Sequence, residues 1–291
     1  MEKQLMTDLQ IRHISESELI SMTEQEMVNW RRQQGAHITC HHDRHWEEVV
    51  PGFYQPIHLM ARLSAEEATR PTPWCWGFRA ALHSKDTVAA NGSVPVHLLS
   101  DIANYDLQSL PQKRRTDLRK CRKLVTIVQL IGPALLQQQG YEVFCSSLQR
   151  TKHQKPPSRK TYLAGLKDFT TDEHRLVLAG LIGDKLGGYI DGYAVNGTAY
   201  MISGYYATDA LPTSIVTGLN YEFVQICRRS GEVHEIVDGL HLRENSALDL
   251  PKKTMGFSVK YVPSRVWINS IVKNLVRWRY PHKYYRLTGH G

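Results

Sequence analysis

The sequence lacks any apolar run approaching the roughly 20 residues that a bilayer-spanning helix requires. Its first residues, Met1 to Asp8, contain no apolar stretch of the kind that a signal peptide carries. Its five cysteines show no CxxC spacing and are scattered along the chain: Cys40, Cys75, Cys121, Cys145 and Cys227. An odd, dispersed set is typical of buried thiols in a reducing compartment, so the sequence predicts a cytoplasmic protein without a disulfide framework.

Several catalytic signatures are also missing. The chain has no Ser-His-Asp order, no Walker loop and no Rossmann fingerprint, which removes support for hydrolase, kinase and dehydrogenase functions. Cys40-His41-His42 with His45 invites a metal interpretation. These side chains are too crowded to close a tetrahedral site, since structural zinc ligands are usually spaced as C-x₂₋₄-C or H-x₃₋₅-H. The sequence therefore predicts no metal site.

Positive charge is concentrated at one end of the chain. The net charge is +8, and residues 252–291 hold nine Lys or Arg and no Asp or Glu. The preceding 251 residues hold 27 basic and 28 acidic side chains. Such a patch attracts an anionic partner, which leaves a nucleic acid, an acidic carrier protein, a nucleotide cofactor and a membrane surface open.

The second half of the chain alternates clear helix and strand patterns. Helices are predicted around a basic loop, followed by three strands joined by tight turns, a long helix that Gly231 ends, a strand, a short helix and a last strand. In order, these are 133–149, 160–169, 175–182, 186–195, 198–206, 213–230, 233–237, 247–255 and 256–262.

The first half is less regular. Ser15 to Arg32 is predicted as a helix, with Ser15 and Glu18 as a capping box. Trp74 to Leu82 and Val94 to Leu99 are predicted strands with Asn91-Gly92 as a turn between them. A basic helix, Leu110 to Lys123, precedes a short strand, Leu124 to Leu130.

This order of elements resembles the core of the GNAT acyltransferases. Val177 to Tyr189 is similar to the central hairpin of that family, and Leu248 to Phe257 is similar to its closing K-x-x-G-F segment. The basic stretch Arg114 to Lys123, followed by a strand, resembles the middle of FemAB-like proteins, in which two GNAT-like halves are joined. The resemblance covers residues 110 to 265 well.

The resemblance implies an α+β fold, a mixed and mostly antiparallel sheet flanked by helices. It implies an N-terminal subdomain, residues 1–130, that is degenerate and GNAT-like, and a transferase domain, residues 131–265. Residues 266–291 form a basic amphipathic tail, with Trp267, Ile271, Leu275 and Trp278 at helical spacing. The tail either packs back on the domain or contacts a membrane surface or a nucleic-acid backbone.

One departure from the family concerns the donor. Acetyl-CoA enzymes of this family hold the pyrophosphate on a glycine-rich turn before the long helix. Here the turn, Ala207 to Gly218, has no glycine before its last residue, and it contains Asp209 and Pro212. The resemblance therefore implies a donor bound in another way. The candidate donor-binding residues are Thr213, Ser214, Thr217, Gly218, Arg115, Arg119, Lys252 and Lys253.

Four residues are candidates for the chemistry: Asp238, His241, Tyr206 and Glu222. Asp238 follows the strand that borders the family's cleft, where a carboxylate takes a proton from an amine; otherwise it caps a turn. His241 is a second base or a surface residue. Tyr206 donates to a leaving group or packs in the core, and Glu222 is a buried base or a solvated, paired side chain.

Three functions follow. The first is an N-acyltransferase that moves an acyl group larger than acetyl from acyl-CoA or an acyl carrier protein to an amine of a small molecule, peptide or protein. The second, implied by the FemAB resemblance, takes an aminoacyl group from aminoacyl-tRNA. The third is a non-catalytic GNAT-like module that binds an anionic partner through residues 252–291.

Overall fold

A computed structural model describes residues 10–151, 155–166 and 173–290, and it has a mixed α/β fold. Its strands are β1 Ile11–His13, β2 Ser21–Met22, β3 Ile38–His41, β4 Arg44–Val50, β5 Phe53–Pro56, β6 Arg62–Leu63, β7 Gly77–Leu82, β8 Gly92–Leu99, β9 Thr126–Leu130, β10 Leu176–Ile182, β11 Lys185–Val195, β12 Thr198–Tyr206, β13 Glu235–Leu240 and β14 Ser258–Ile268. Its α-helices are α1 Glu24–Gln33, α2 Gln112–Leu124, α3 Tyr141–Thr151, α4 Arg159–Gly165, α5 Ile215–Ser230, α6 Asp249–Thr254, α7 Ser270–Arg279 and α8 Pro281–Thr288.

The chain divides into two compact units, each built from separate stretches of sequence. The first unit comprises Met1–Ser21, Leu99–Ile236 and Thr254–Gly256, and the second comprises Met22–Leu98, Val237–Lys253 and Phe257–Gly291. The predicted division into residues 1–130, 131–265 and 266–291 stays a prediction.

The first unit is organised around an antiparallel sheet in the order β1-β9-β10-β11-β12. The predicted strands of the second half are confirmed, and β12 begins and ends at the predicted residues. Asn196 and Gly197 both have positive φ, 48° and 79°, as a two-residue hairpin turn requires. This turn brings β11 and β12 side by side as an antiparallel pair.

Helices cover both faces of this sheet. On one face, Val177, Ala179 and Tyr189 pack with Val143 of α3 and Tyr162 of α4. On the other face lies α5, which buries nine residues including Ile215 and Phe223. Gly231 ends α5 in the left-handed conformation (φ 71°), as the sequence predicted. The predicted helix 160–169 is confirmed over Arg159–Gly165, and residues 167–169 lie outside the described ranges.

The second unit contains a mixed, mostly antiparallel sheet in the order β8-β14-β7-β5-β4-β3. The strands β5 and β7 pair in parallel, and the other neighbours along this path are antiparallel. The predicted turn at Asn91-Gly92 between paired strands is wrong, because β14 lies between β7 and β8. The Asn91 amide instead bonds to the backbone oxygen and nitrogen of Val266, at 2.9 and 2.7 Å.

The helix predicted over Ser15 to Arg32 is also shorter than expected. Ser15 bonds to the His13 ring at 2.7 Å, within a short 3₁₀ turn. The true helix, α1, begins at Glu24, where Thr23 and Glu26 form the capping box. The same Ser/Thr-x-x-Glu pattern occurs three times in this stretch, at Ser15, Ser21 and Thr23, and the copy at Thr23 starts the helix.

Candidate functional site

The predicted site residues divide between the two units. Eight lie in the first unit: Tyr206, Glu222, Thr213, Ser214, Thr217, Gly218, Arg115 and Arg119. Four lie in the second unit: Asp238, His241, Lys252 and Lys253. Each group is described within its own unit.

Asp238 lies within β13, not directly after the strand as the sequence suggested, because β13 continues to Leu240. Its Oδ1 is 3.1 Å from the Lys252 ammonium, and Lys252 also donates to the Asp238 main-chain oxygen. The carboxylate is paired with a lysine of α6, and both the base and the turn-capping role of Asp238 stay predictions.

The environment of Asp238 favours a carboxyl that titrates above its usual range. Burial raises the pKa of Asp238, and the charge and hydrogen bond of Lys252 oppose that rise. Both side chains are about one-fifth exposed, so the pair is reachable from solvent. A carboxylate with a raised pKa and a solvent-facing side is suited to accept a proton.

His241 belongs to a polar network in the second unit. Its Nδ1 is 2.6 Å from the Tyr285 hydroxyl and its Nε2 is 3.4 Å from Asp249 Oδ2. The other oxygen of Asp249 is 3.4 Å from Nε2 of His97, which is buried in β8. Both ring nitrogens of His241 are therefore engaged, so its predicted role as a base would require these contacts to break.

Sequence reasoning missed His97 and Tyr285 as members of this network. His97, Asp249 and Tyr285 are far apart in the sequence, and none of them stands in a recognisable motif. Burial lowers the pKa of His97 to about 4, and the charge of Lys252 adds to that effect. Burial raises the pKa of Tyr285 to about 12. We call His97, Asp249 and His241 the His–Asp–His network.

In the first unit, the connection from β12 to α5 is a 3₁₀ helix, Thr208–Thr213. The Ser214 amide donates to Leu211 O at 3.0 Å, and the Thr213 hydroxyl donates to Ala210 O at 2.7 Å. The Gly218 amide donates to Ser214 O at 3.2 Å. These groups are satisfied within the chain, so they are not the free donors that a pyrophosphate would need.

Thr217 and Gly218 face the protein interior. Thr217 is buried, and its hydroxyl oxygen accepts a hydrogen bond from Arg114 at 3.2 Å. At Gly218, an added Cβ would clash with the Cys121 sulfur of α2. The positions of both residues are explained by the packing of α2 against α5, and their predicted part in donor binding stays a prediction.

The remaining first-unit candidates are more accessible. Arg115 donates a hydrogen bond to the side chain of Gln108 at 2.9 Å, and Arg119 is exposed. In the second unit, Lys253 is exposed as well. The exposed cations of α2 are Lys113, Arg119, Lys120, Arg122 and Lys123. This basic face of α2 is an electrostatic surface for an anion.

Tyr206 and Glu222 are both partly buried. The main-chain oxygen of Tyr206 accepts from Arg150 at 2.7 Å, at the end of β12. Glu222 is 3.7 Å from Arg122, and burial raises its pKa while Arg122 and Arg229 oppose the rise. This combines the two alternatives considered for Glu222, because the side chain is both buried and paired.

A cleft of about 800 Å³ opens in the first unit. Its walls come from the start of α3, the turn between β10 and β11, and the chain from Ala207 to Thr213. Of the predicted site residues Thr213 lines this cleft, and Glu142, Lys185 and Asp209 supply charges. The mixture of polar and apolar walls suits a ligand with both kinds of surface.

The predicted absence of a metal site and of a membrane-spanning helix concerns residues 10–151, 155–166 and 173–290 of the structure. Cys40 and His45 are cross-strand neighbours in the β3–β4 hairpin, and no cluster of three potential metal ligands was found in these ranges. None of the helices in the same ranges is long and apolar enough to cross a membrane.

No family model matches the sequence, and no curated protein matches it. Among solved structures, FemX aligns with 89% of this chain and 100% of its own, with a TM-score of 0.62 and 8% identity. The C-terminal domain of a putative lysylphosphatidylglycerol synthetase from Agrobacterium fabrum covers 90% of this chain and 92% of its own, with a TM-score of 0.57 and 10% identity. L-PGS from Bacillus licheniformis covers 84% and 92%, with a TM-score of 0.50 and 11% identity.

At these identities the likeness concerns the fold. The chain has a GNAT-like fold of the FemAB-like type, which confirms the resemblance found in the sequence. The predicted α+β class with a mostly antiparallel sheet flanked by helices is confirmed as well.

Proposed function

We propose that this protein is an N-acyltransferase, in which Asp238 takes the proton from an amine that attacks an activated acyl group. The observation that carries the proposal is the half-buried Asp238–Lys252 pair on β13 and α6, in a chain with a FemAB-like fold. The similarity in fold to the C-terminal domain of a putative lysylphosphatidylglycerol synthetase supports acyl or aminoacyl transfer in general.

The chemistry requires a base because an ammonium group has no lone pair with which to attack. Asp238 accepts a proton from the acceptor nitrogen as the new C–N bond forms, and the bond from the acyl carbon to its carrier breaks. The proton then leaves with the carrier group, which returns the carboxylate to its starting state. Lys252 favours the ionised form of Asp238 because its charge opposes the effect of burial on the pKa.

The donor is proposed to be larger than acetyl-CoA. The Ser214 amide at the start of α5 is used within the chain, no glycine-rich turn precedes the helix, and Asp209 adds negative charge nearby. A long-chain acyl-CoA or an acyl carrier protein offers additional surface for binding, and a basic face suits an acidic carrier.

Aminoacyl-tRNA is the second candidate donor. It is favoured by the basic face of α2, whose five exposed cations suit a phosphate backbone. Activity that disappears after ribonuclease treatment would select this donor, and activity that resists ribonuclease would select a thioester. A screen that presents acyl-CoA, acyl carrier protein and aminoacyl-tRNA with pooled amines separates these donors.

The first prediction concerns Asp238→Asn. This change keeps the size and removes the basicity, so turnover should fall by roughly 10²–10⁴-fold while donor binding changes little. Asp184→Asn, an exposed aspartate in the β10–β11 turn, is the matched control and should retain activity. Full turnover per folded Asp238→Asn molecule would exclude the proposed base.

Lys252→Met separates a base from a structural ion pair. Because Lys252 lowers the pKa of Asp238, its removal should raise that pKa and move the acidic limb of the pH–rate profile to higher pH. Activity at alkaline pH should survive. If the pair only stabilises the fold, both variants should lower the melting temperature and leave the profile in place.

A further inference from the structure

The helix α7, Ser270–Arg279, presents an apolar stripe to solvent. Ile271, Leu275 and Trp278 are 79%, 56% and 80% exposed. Their spacing of four and three residues places them on one side of the helix. Large apolar side chains scattered singly on a surface need no explanation, but three on one face of a helix form a patch.

The patch is held on an ordered part of the second unit. The following helix, α8, is anchored by buried Tyr284, Tyr285 and Thr288. At the other end, the side chain of Asn269 caps α7, and the backbone N–H of Asn269 donates to Trp76 O at 2.8 Å. Two ordered attachments therefore fix α7 while its apolar stripe stays in water.

A second exposed tryptophan lies close to the start of α7. The loop that ends at Trp76 also carries Trp74, which is 90% exposed. Arg70 of the same loop donates to Pro73 O and lies 4.9 Å from the ring of Trp267, at the end of β14. The loop and the helix thus expose aromatic side chains from neighbouring segments.

The same helix carries cations. Lys273 and Arg277 lie on the side of α7 away from the stripe, Arg279 lies beside the stripe, and Lys283 lies on α8. No acidic side chain occurs from residue 252 to the end, and Arg286 of α8 pairs with Glu244. A helix with an apolar row on one side and Lys and Arg on its polar side is the pattern of a helix that lies in the interface of an anionic bilayer.

We propose that α7, together with Trp74, docks the protein on an anionic membrane surface. The aliphatic Ile271 and Leu275 favour a bilayer over a nucleic acid, because they gain from burial among acyl chains and cannot stack on bases as aromatic rings do. The exposed tryptophans suit the headgroup level, where an aromatic body with a polar edge is favoured.

The full chain tests this proposal by flotation with vesicles of phosphatidylglycerol and phosphatidylcholine, and with vesicles of phosphatidylcholine alone. Binding is expected to the anionic vesicles and to weaken with salt. A double variant, Ile271→Ser with Trp278→Ser, should weaken binding by about tenfold or more through lost apolar burial. Lys273→Gln with Arg277→Gln should weaken it through lost charge.

Val88→Ser is the matched control, since Val88 is a fully exposed apolar residue of the second unit outside the patch. It should bind vesicles as the unchanged chain does. Tryptophan quenching by brominated lipid should fall in Trp278→Phe, which reports insertion and not mere adsorption. The proposal fails if the serine double variant floats normally. It also fails if the variants lose binding to an RNA oligonucleotide but keep binding to vesicles.

Discussion

Asp249 is the carboxylate around which the polar side chains of the second unit are arranged, because each of its oxygens faces a different histidine. The distances to His97 and His241 are both 3.4 Å. His97 is buried on β8, and no hydrogen-bond partner is found for its Nδ1 among the described residues. The folded protein therefore holds His97 best in its neutral form.

This environment gives the second prediction, a loss of stability in mild acid. The pKa of His97 in the folded protein, about 4, lies below the 6.5 of an exposed histidine, so the unfolded chain takes up a proton first as the pH falls. The contribution of neutral His97 to the free energy of unfolding is therefore complete above pH 6.5. It falls by about 3 kcal/mol in total as the pH falls from 6.5 towards 4.

Urea unfolding at pH 7 and pH 4.5 measures this effect, with His97→Gln as the comparison. The variant cannot titrate at this position, so its free energy of unfolding should fall less than that of the unchanged chain between the two values. Equal losses in both proteins would show that other groups account for the acid sensitivity.

At the scale of elements, the close approach of α2 and α5 depends on Gly218. An added Cβ would clash with the Cys121 sulfur and would lie 3.2 Å from Ile127. The third prediction is that Gly218→Ala lowers the free energy of unfolding by about 1–3 kcal/mol through overpacking. Gly165→Ala, at the end of α4 with open space around it, should cost nothing and could stabilise.

Chemical denaturation of both glycine variants tests this prediction. Adding Cys121→Ala to Gly218→Ala should recover part of the loss, because the sulfur that clashes is gone. Donor binding per folded molecule should stay unchanged in Gly218→Ala. A variant of normal stability that fails to bind donor would instead support the role first predicted for Gly218.

The elements that the sequence predicted well are those with strong local signals. The strands β10 to β12 combine apolar runs with tight turns such as Asn196-Gly197, and these local features determine their pairing. The pairing of β7 and β8 with β14 depends on residues far apart in the sequence, and no local pattern reports it. The N-terminal helix was misplaced because capping patterns at Ser15 and at Thr23 compete.

The candidate site was only partly accessible from the sequence. Asp238 was predicted as a base from its place beside a strand, and the structure adds its pairing with Lys252. The His–Asp–His network was beyond local reasoning, because its members come from β8, α6 and the end of β13. The donor-binding role of Gly218 stays a prediction, and its contact with Cys121 of α2 could not be seen in the sequence.

At the scale of the whole molecule, the charge distribution bears on the proposed donor. The positive charge lies in the last forty residues and on α2. A large anionic donor or a charged surface suits such a molecule better than a small cofactor held on a glycine-rich turn.

The last prediction therefore concerns acetyl-CoA. The Ser214 amide is already bonded, no glycine lets a pyrophosphate approach the backbone before α5, and Asp209 is an exposed, repelling charge in the same connection. Calorimetric titration should show affinity weaker than about 1 mM for acetyl-CoA, which corresponds to about 4 kcal/mol of binding free energy. A long-chain acyl-CoA or an acyl carrier protein should bind more tightly.

Asp209→Asn should leave the weak affinity for acetyl-CoA unchanged if no pyrophosphate binds at this connection. Micromolar binding of acetyl-CoA that tightens further in Asp209→Asn would place the phosphates at this connection and contradict the proposed donor.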